Sequence, residues 1–164
     1  ESLHSAAKQT FVATVEQLLE GRQREGDKLA DMIELRLSGI ETQIALVRTE
    51  LPGILEYQRQ RLQEKLQDLQ TQLDEDRLEQ EMVIVATRAD VDEELDRLEA
   101  HISEILLALQ NSDSIGRRLD FLMQELNREA NTLGSKSIST VTTQASVELK
   151  VLIEQMREQI QNIE

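Results

Sequence analysis

The chain has 164 residues and contains no cysteine, no tryptophan, one proline and few aromatic side chains, namely Phe11, Tyr57 and Phe121. Because cysteine is absent, the protein can form neither a disulfide framework nor a thiolate metal site. This absence fits a reducing compartment, and we expect a cytoplasmic protein. The longest apolar run, MVIVA at residues 82–86, is far shorter than the roughly 20 residues of a membrane-spanning helix. We therefore expect no membrane partner.

Positive charge is scarce, since 18 Lys and Arg residues face 32 Asp and Glu residues and leave a net charge of −14. The imbalance is strongest in residues 74–113, which hold 3 basic and 13 acidic side chains. A negative field of this kind opposes electrostatic capture of nucleic acid. An RNA-binding function must therefore overcome this field, and we expect no DNA partner.

The abundant residues, chiefly Leu, Ile, Glu, Gln and Arg, are those of long helices. Apolar residues alternate in steps of four and three, the spacing of a coiled-coil seam. One run comprises Ile33, Leu37, Ile40, Ile44, Val47 and Leu51, and a second comprises Leu55, Leu62, Leu66, Leu69 and Leu73. Pro52 and Gly53 lie between the two runs and predict a helix boundary or kink. We interpret the two runs as an antiparallel helical hairpin.

The rest of the chain also follows a helical pattern. MVIVAT at residues 82–87 is strand-like in composition, but no partner strand is evident, so we predict a buried helix. Asp90 is predicted to cap a new helix, with Glu93 reaching back to its start. Residues 111–116 read as a loop, and Gly134 as the end of the helix after it. A last seam comprises Leu149, Ile153, Met156, Ile160 and Ile163.

These patterns predict an all-α protein, with a long coiled-coil-like helical hairpin in residues 1–73 followed by a compact helical bundle in residues 74–164. The two seams of the hairpin offer more apolar surface than two helices can cover by themselves, so we also expect a homo-oligomer. The sequence begins with Glu1 rather than Met and has no secretion signal. We therefore expect a piece of a longer protein.

Two groups of polar residues could carry chemistry. The first comprises Glu94, Arg97, His101 and Glu104, whose spacing of three, four and three places them on one face of a helix. A histidine between carboxylates can carry a proton or ligate a divalent metal ion. The alternative, which the spacing leaves open, is a solvated helix face with a surface histidine.

The second group lies between Arg117 and Lys136. Glu125 and Glu129 are one helical turn apart and could hold a hard cation such as Mg²⁺ or Mn²⁺, while Arg118 and Arg128 could bind phosphate. Metal ions and arginines beside phosphate suit phosphodiester chemistry. The alternative is a set of intrahelical ion pairs, such as Glu125 with Arg128.

Three segments of the chain resemble a known family. GRRLDFLMQELNREANTLGSKS at residues 116–137, VELKVLIEQMREQIQNIE at 147–164 and RLEQEMVIVATRADVDEELDRLEAHI at 77–102 look like the C-terminal part of the YicC/YloC family of bacterial endoribonucleases. The preceding half, through REGDKLADMI at residues 24–33, matches more loosely. The amino-terminal domain of that family is missing from this sequence.

The resemblance implies metal-dependent cleavage of single-stranded RNA by a homo-oligomer, for which it suggests a hexamer. A divalent cation, Mn²⁺ or Mg²⁺, would partly neutralise the acidic field at the cleavage site. The rival hypothesis is a non-catalytic coiled-coil oligomerisation or adaptor module, which explains the polar residues between Arg117 and Lys136 poorly.

We assign roles to the residues of the matched motifs by our own inference. The predicted metal ligands are Glu125 and Glu129. The predicted catalytic residues are His101, Glu94 and Asp120, with His101 as general acid or base. The residues predicted to bind substrate are Arg117, Arg118, Asn127, Arg128 and Lys136. Glu93 and Glu99 fall in the same motifs without an assigned role.

Overall fold

The computed structural model contains four α-helices. It describes the backbone of residues 2–67, 74–110 and 115–161, and their side chains except those of residues 62, 65–67, 74–82 and 84–89. Helix α1 is Ser2–Gln67, α2 is Asp74–Leu109, α3 is Gly116–Ser135 and α4 is Thr140–Ile160. The described ranges contain no strand, so the prediction of an all-α bundle is confirmed.

Helix α1 has no break at Pro52, contrary to the prediction. The helix contains Pro52 in its interior and continues to Gln67, although proline lacks one backbone hydrogen bond and disfavours the helix interior. Pro52 is exposed, so its ring points away from the core and leaves the apolar side intact. The division of residues 33–73 into two helices at this point is therefore wrong, while residues 68–73, where the predicted hairpin ends, lie outside the described residues.

The first predicted seam is buried within the chain. Its six members, Ile33 to Leu51, are at most 3% exposed, and Leu55 is 7% exposed. The later members of the second seam lie outside the described side chains. Because α2 and α4 both pack on α1, the first seam is not available to another subunit, contrary to the reasoning that led us to expect an oligomer. The oligomer itself stays a prediction.

Helix α2 is also longer than expected. It runs without interruption from Asp74 to Leu109, so Asp90 lies inside a helix and the predicted capping role is wrong. The segment MVIVAT is helical, as predicted, although Val83 is 60% exposed. The predicted loop falls largely in residues 111–114, outside the described residues, and α3 starts at Gly116.

The last two helices form a tight pair. Helix α3 ends at Ser135, one residue beyond Gly134, and the Ser139 hydroxyl caps α4 by accepting a hydrogen bond from Thr142 N–H at 3.1 Å. The Ser146 hydroxyl of α4 donates to the carbonyl of Ala130 in α3 at 2.9 Å. The Leu149, Ile153, Met156 and Ile160 side chains are buried, which confirms the last seam for these residues.

The core positions α2 against α3. Leu95, Leu98, Ile102 and Ile105 of α2 share one buried cluster with Leu119, Leu122, Leu126 and Leu133 of α3. Within the described ranges, no helix is long and apolar enough to cross a membrane.

Candidate metal centre

The polar faces of α2 and α3 meet beside the core. Ion pairs join Glu104 to Arg118 at 4.0 Å and Glu94 to Lys136 at 2.9 Å. Rising residue numbers on α2 therefore correspond to falling numbers on α3, so the two helices run antiparallel. The face of α2 that we considered as a solvated surface packs against α3, and Glu94 is only 5% exposed.

Midway along this contact, His101 of α2 meets Glu125 and Glu129 of α3. One ring nitrogen of His101 and one carboxylate oxygen of each glutamate all lie within 4.8 Å of one another. Glu129 is buried, and His101 and Glu125 are half-buried. Nδ1 of His101 is buried without a hydrogen-bond partner, although buried polar atoms are normally paired. A cation coordinated by three such groups would fit both the spacing and the unpaired atom.

A second network shares Glu129. The Glu94 carboxylate accepts a hydrogen bond from Lys136 Nζ at 2.9 Å, and Lys136 also lies 3.6 Å from Asp90 Oδ2. Burial and the neighbouring Glu94 carboxylate raise the pKa of Glu129 to about 7. Burial alone would raise the pKa of Glu94, but its contacts with Glu129 and Lys136 outweigh that effect and lower it. In the metal-free protein Glu129 can therefore hold a proton that Glu94 accepts.

Arg97 is a site residue that we did not assign from the sequence. Its guanidinium lies 3.6 Å from the Glu129 carboxylate and also pairs with Glu93. Its position on the same helix face as Glu94 and His101 was visible in the spacing. The partner on α3 was not visible, because the register between two helices is set by core packing.

The alternative of intrahelical ion pairs on α3 does not describe Glu125 and Glu129. Among the described residues, no ion pair joins Glu125 to Arg128, and the partner of Glu129 is Arg97 on α2. Some other polar residues of α3 do form intrahelical contacts, since Asn131 donates to the Asn127 side chain at 2.7 Å. This bond explains part of the asparagine content without a ligand.

The structure separates Asp120 from the cluster. Asp120 is five residues before Glu125, which turns it roughly 140° around α3, and its carboxylate accepts a hydrogen bond from Gln124 at 2.9 Å. Arg117 and Arg128 are exposed on α3 and free to meet an anion on the cluster's outer side. Lys136 is engaged by Glu94 and Asp90, so it would have to exchange partners to bind phosphate.

Fold and site together define an all-α protein with a histidine–carboxylate cluster between two antiparallel helices. Residues 47–164 match the family model described as "Endoribonuclease YicC-like, C-terminal". Since the match covers well over half of the chain, the chain belongs to the YicC-like endoribonuclease family, as the sequence motifs predicted.

Two curated relatives agree with this assignment. A protein of Haemophilus influenzae named "Probable endoribonuclease YicC" is 54% identical over 143 residues, which cover 87% of this chain and 50% of the relative. A protein of Clostridioides difficile with the same name is 40% identical over 150 residues, covering 90% of this chain and 51% of the relative. The chain therefore spans about half the length of these relatives.

Proposed function

We propose that this chain forms the catalytic part of a metal-dependent endoribonuclease that cleaves single-stranded RNA. The observation that supports this most directly is the cluster of His101, Glu125 and Glu129, whose ligand atoms lie within 4.8 Å of one another. The family name and the names of both relatives support the reaction class. The cluster adds a place where the reaction could occur.

The residues of the candidate site would have different roles in the reaction. Glu125 and Glu129 would ligate the cation, and Glu94, Lys136 and Arg97 would hold Glu129 in place. His101 would complete the ligand set or exchange a proton with the reacting oxygen. A bound divalent cation would supply charge neutralisation at the phosphate and activation of a water molecule or hydroxyl.

Arginines would orient the RNA backbone at this site. Arg117 and Arg128 are exposed on α3, and Arg118 makes only a 4.0 Å contact with exposed Glu104. Guanidinium groups recognise phosphate through paired hydrogen bonds. Three of them on the helix that carries Glu125 and Glu129 would offset the negative field locally.

The ligand set favours manganese over magnesium. Mg²⁺ prefers oxygen ligands and retains several water molecules, whereas an imidazole nitrogen suits first-row transition metal ions. We therefore propose Mn²⁺ as the better activating ion, with Mg²⁺ as a weaker substitute.

The test replaces the predicted ligands with amides of the same shape. A Glu125→Gln, Glu129→Gln double mutant should lose Mn²⁺ binding by calorimetry and lose chelator-sensitive cleavage of single-stranded RNA, while its far-UV circular dichroism stays unchanged. A Glu148→Gln, Glu154→Gln double mutant is the matched control, since it removes two exposed carboxylates of α4. Cleavage at the parent rate by the Glu125, Glu129 mutant would refute the proposal.

The rival function is a partner-binding helical module. The specific observation in its favour is a row of exposed apolar side chains in residues 2–28 of α1, including Phe11, Leu18 and Leu19, each at least 60% exposed. Two results together would favour this function instead. The parent chain would cleave no RNA with or without chelator, and the Glu125→Gln, Glu129→Gln double mutant would bind Mn²⁺ as tightly as the parent.

A further inference from the structure

The aromatic side chains of this protein lie outside its core. Phe11, Tyr57 and Phe121 are 69%, 61% and 57% exposed, whereas the buried cluster is built from aliphatic residues and methionine. Aromatic residues normally contribute strongly to a protein's core because each buries a large apolar area. The exposed aromatic faces are therefore available for contact with a ligand or partner.

Phe121 lies at the edge of the candidate metal centre. It is four residues before Glu125 on α3, and residues at this spacing are neighbours on a helix surface, with Cβ atoms roughly 6 Å apart. Its rotation from Glu125 is only about 40° around the helix axis. The ring thus stands on the solvent side of the cluster, one turn from a predicted metal ligand.

Basic residues flank Phe121 on the same strip of α3. Arg117 is one turn before it and Arg128 two turns after it, and all three side chains are exposed. A strip that alternates guanidinium groups with an aromatic ring is complementary to single-stranded nucleic acid. Arginines contact its phosphates, and an aromatic face stacks on an unpaired base.

We propose that Phe121 is a base-stacking platform of this RNA site, which holds the base of a nucleotide next to the phosphate that is cleaved. This inference rests on the proposed function, since it takes single-stranded RNA as the substrate. Stacking on this ring, with Arg117 and Arg128 on phosphates to either side of the stacked nucleotide, would bring the intervening backbone toward Glu125 and Glu129. Phe121 would also favour unpaired RNA, because a base in a duplex cannot stack on a side chain.

The experiment combines protein variants with altered RNA. Cleavage of a single-stranded oligonucleotide with Mn²⁺ is measured at limiting RNA for the parent chain and for Phe121→Ala, Phe121→Leu and Phe121→Trp. A series of oligonucleotides, each with one abasic nucleotide, locates the base that matters. Tyr57→Ala is the matched control, since Tyr57 is 61% exposed, close to the 57% of Phe121, and lies on α1, outside the contact between α2 and α3.

We expect Phe121→Ala to lower kcat/KM by about fivefold to a hundredfold, the range for loss of one stacked base. Leucine should not rescue the loss, because it lacks an aromatic face, whereas tryptophan should. One abasic position should reduce cleavage by the parent to a similar extent and should have no further effect in Phe121→Ala. Tyr57→Ala should cleave like the parent.

Three results would overturn the inference while leaving the nuclease function intact. They are parent-like cleavage by Phe121→Ala, full activity of Phe121→Leu, and a loss in Phe121→Ala that light scattering explains by a changed oligomeric state. A parent chain that neither binds nor cleaves the RNA would remove the proposed function and this inference with it.

Discussion

Glu129 is the residue at which the two networks of the site meet. Its carboxylate belongs to the cluster with His101 and Glu125, lies 3.6 Å from Arg97, and contacts Glu94. It is 3% exposed, so its charge is poorly solvated unless a cation or a proton neutralises it. The stability of the metal-free protein therefore depends on whether the Glu129 side chain is protonated.

The raised pKa of Glu129 predicts a stability that falls as pH rises. The folded protein binds the Glu129 proton up to about pH 7, whereas the unfolded chain releases it near pH 4.5, the ordinary pKa of a glutamate side chain. This proton contributes on the order of 3 kcal/mol to the free energy of unfolding below pH 4.5. The contribution decreases as pH rises from 4.5 and is lost as pH passes 7. Glu94, with a lowered pKa, changes only at more acidic pH.

Urea unfolding in the presence of chelator, at several pH values from 5 to 8, measures this effect. Glu129→Gln should flatten the profile, because its amide can donate to Glu94 at every pH. Glu148→Gln, on the exposed surface of α4, should keep the parent slope. Equal slopes for Glu129→Gln and the parent would contradict the assignment.

At the scale of helices, continuity is the property that the sequence predicted least well. The apolar spacing correctly identified the buried side of α1, because a periodic pattern states which residues face the core. Pro52 and Asp90 were interpreted as boundaries, but both lie inside continuous helices. At Pro52, buried Leu51 and Leu55 on either side hold the helix against the core. Local preferences of one or two residues are outweighed by such packing.

At the candidate site, too, the sequence predicted the residues within one helix better than the contacts between helices. Glu125, Glu129 and His101 could be selected from residue type and spacing within single helices. Arg97 as a partner of Glu129, and the separation of Asp120 from the cluster, depend on how α3 is rotated against α2. Leu119, Leu122 and Leu126 fix that rotation through their partners in the core, and those partners cannot be read from one helix alone.

Pro52 should cost α1 some stability. Pro52→Ala restores the backbone N–H that can donate to the carbonyl of Arg48 and removes the clash of the ring with the preceding turn. We expect thermal unfolding to show that the free energy of unfolding increases by about 1 to 3 kcal/mol. Gly53→Ala serves for comparison, because a Cβ there meets nothing within 4 Å, and it should gain less than about 1 kcal/mol. A less stable Pro52→Ala would show that the ring contributes to the native packing.

For the whole molecule, the net charge of −14 predicts that the proposed RNA binding depends on cations. Long-range repulsion should keep the RNA away unless divalent ions occupy the acidic site. Fluorescence anisotropy should therefore show RNA affinity at least tenfold higher with Mn²⁺ than with chelator at the same ionic strength. Equal affinity under both conditions would mean that basic surface alone captures the RNA.

Assembly should involve the exposed part of α1. The seam from Ile33 to Leu51 is buried within the chain, so a homo-oligomer has to use other apolar surface. Residues 2–28 offer a row of exposed apolar side chains. Light scattering at micromolar concentration should show more than one chain per particle. Leu18→Asp should reduce that mass, whereas Leu35→Asp, at a residue that is 72% exposed beside the core, should not. A monomeric parent would contradict this prediction.

The unbroken course of α1 from Ser2 into the buried seam has a mechanical consequence. Residues 2–28 extend about 40 Å along the helix axis before the buried seam begins. A rigid arm of this length amplifies small rotations, so a 10° tilt of the seam on the bundle would move Ser2 by about 7 Å. A partner bound to that arm would therefore be displaced by a small shift of the seam.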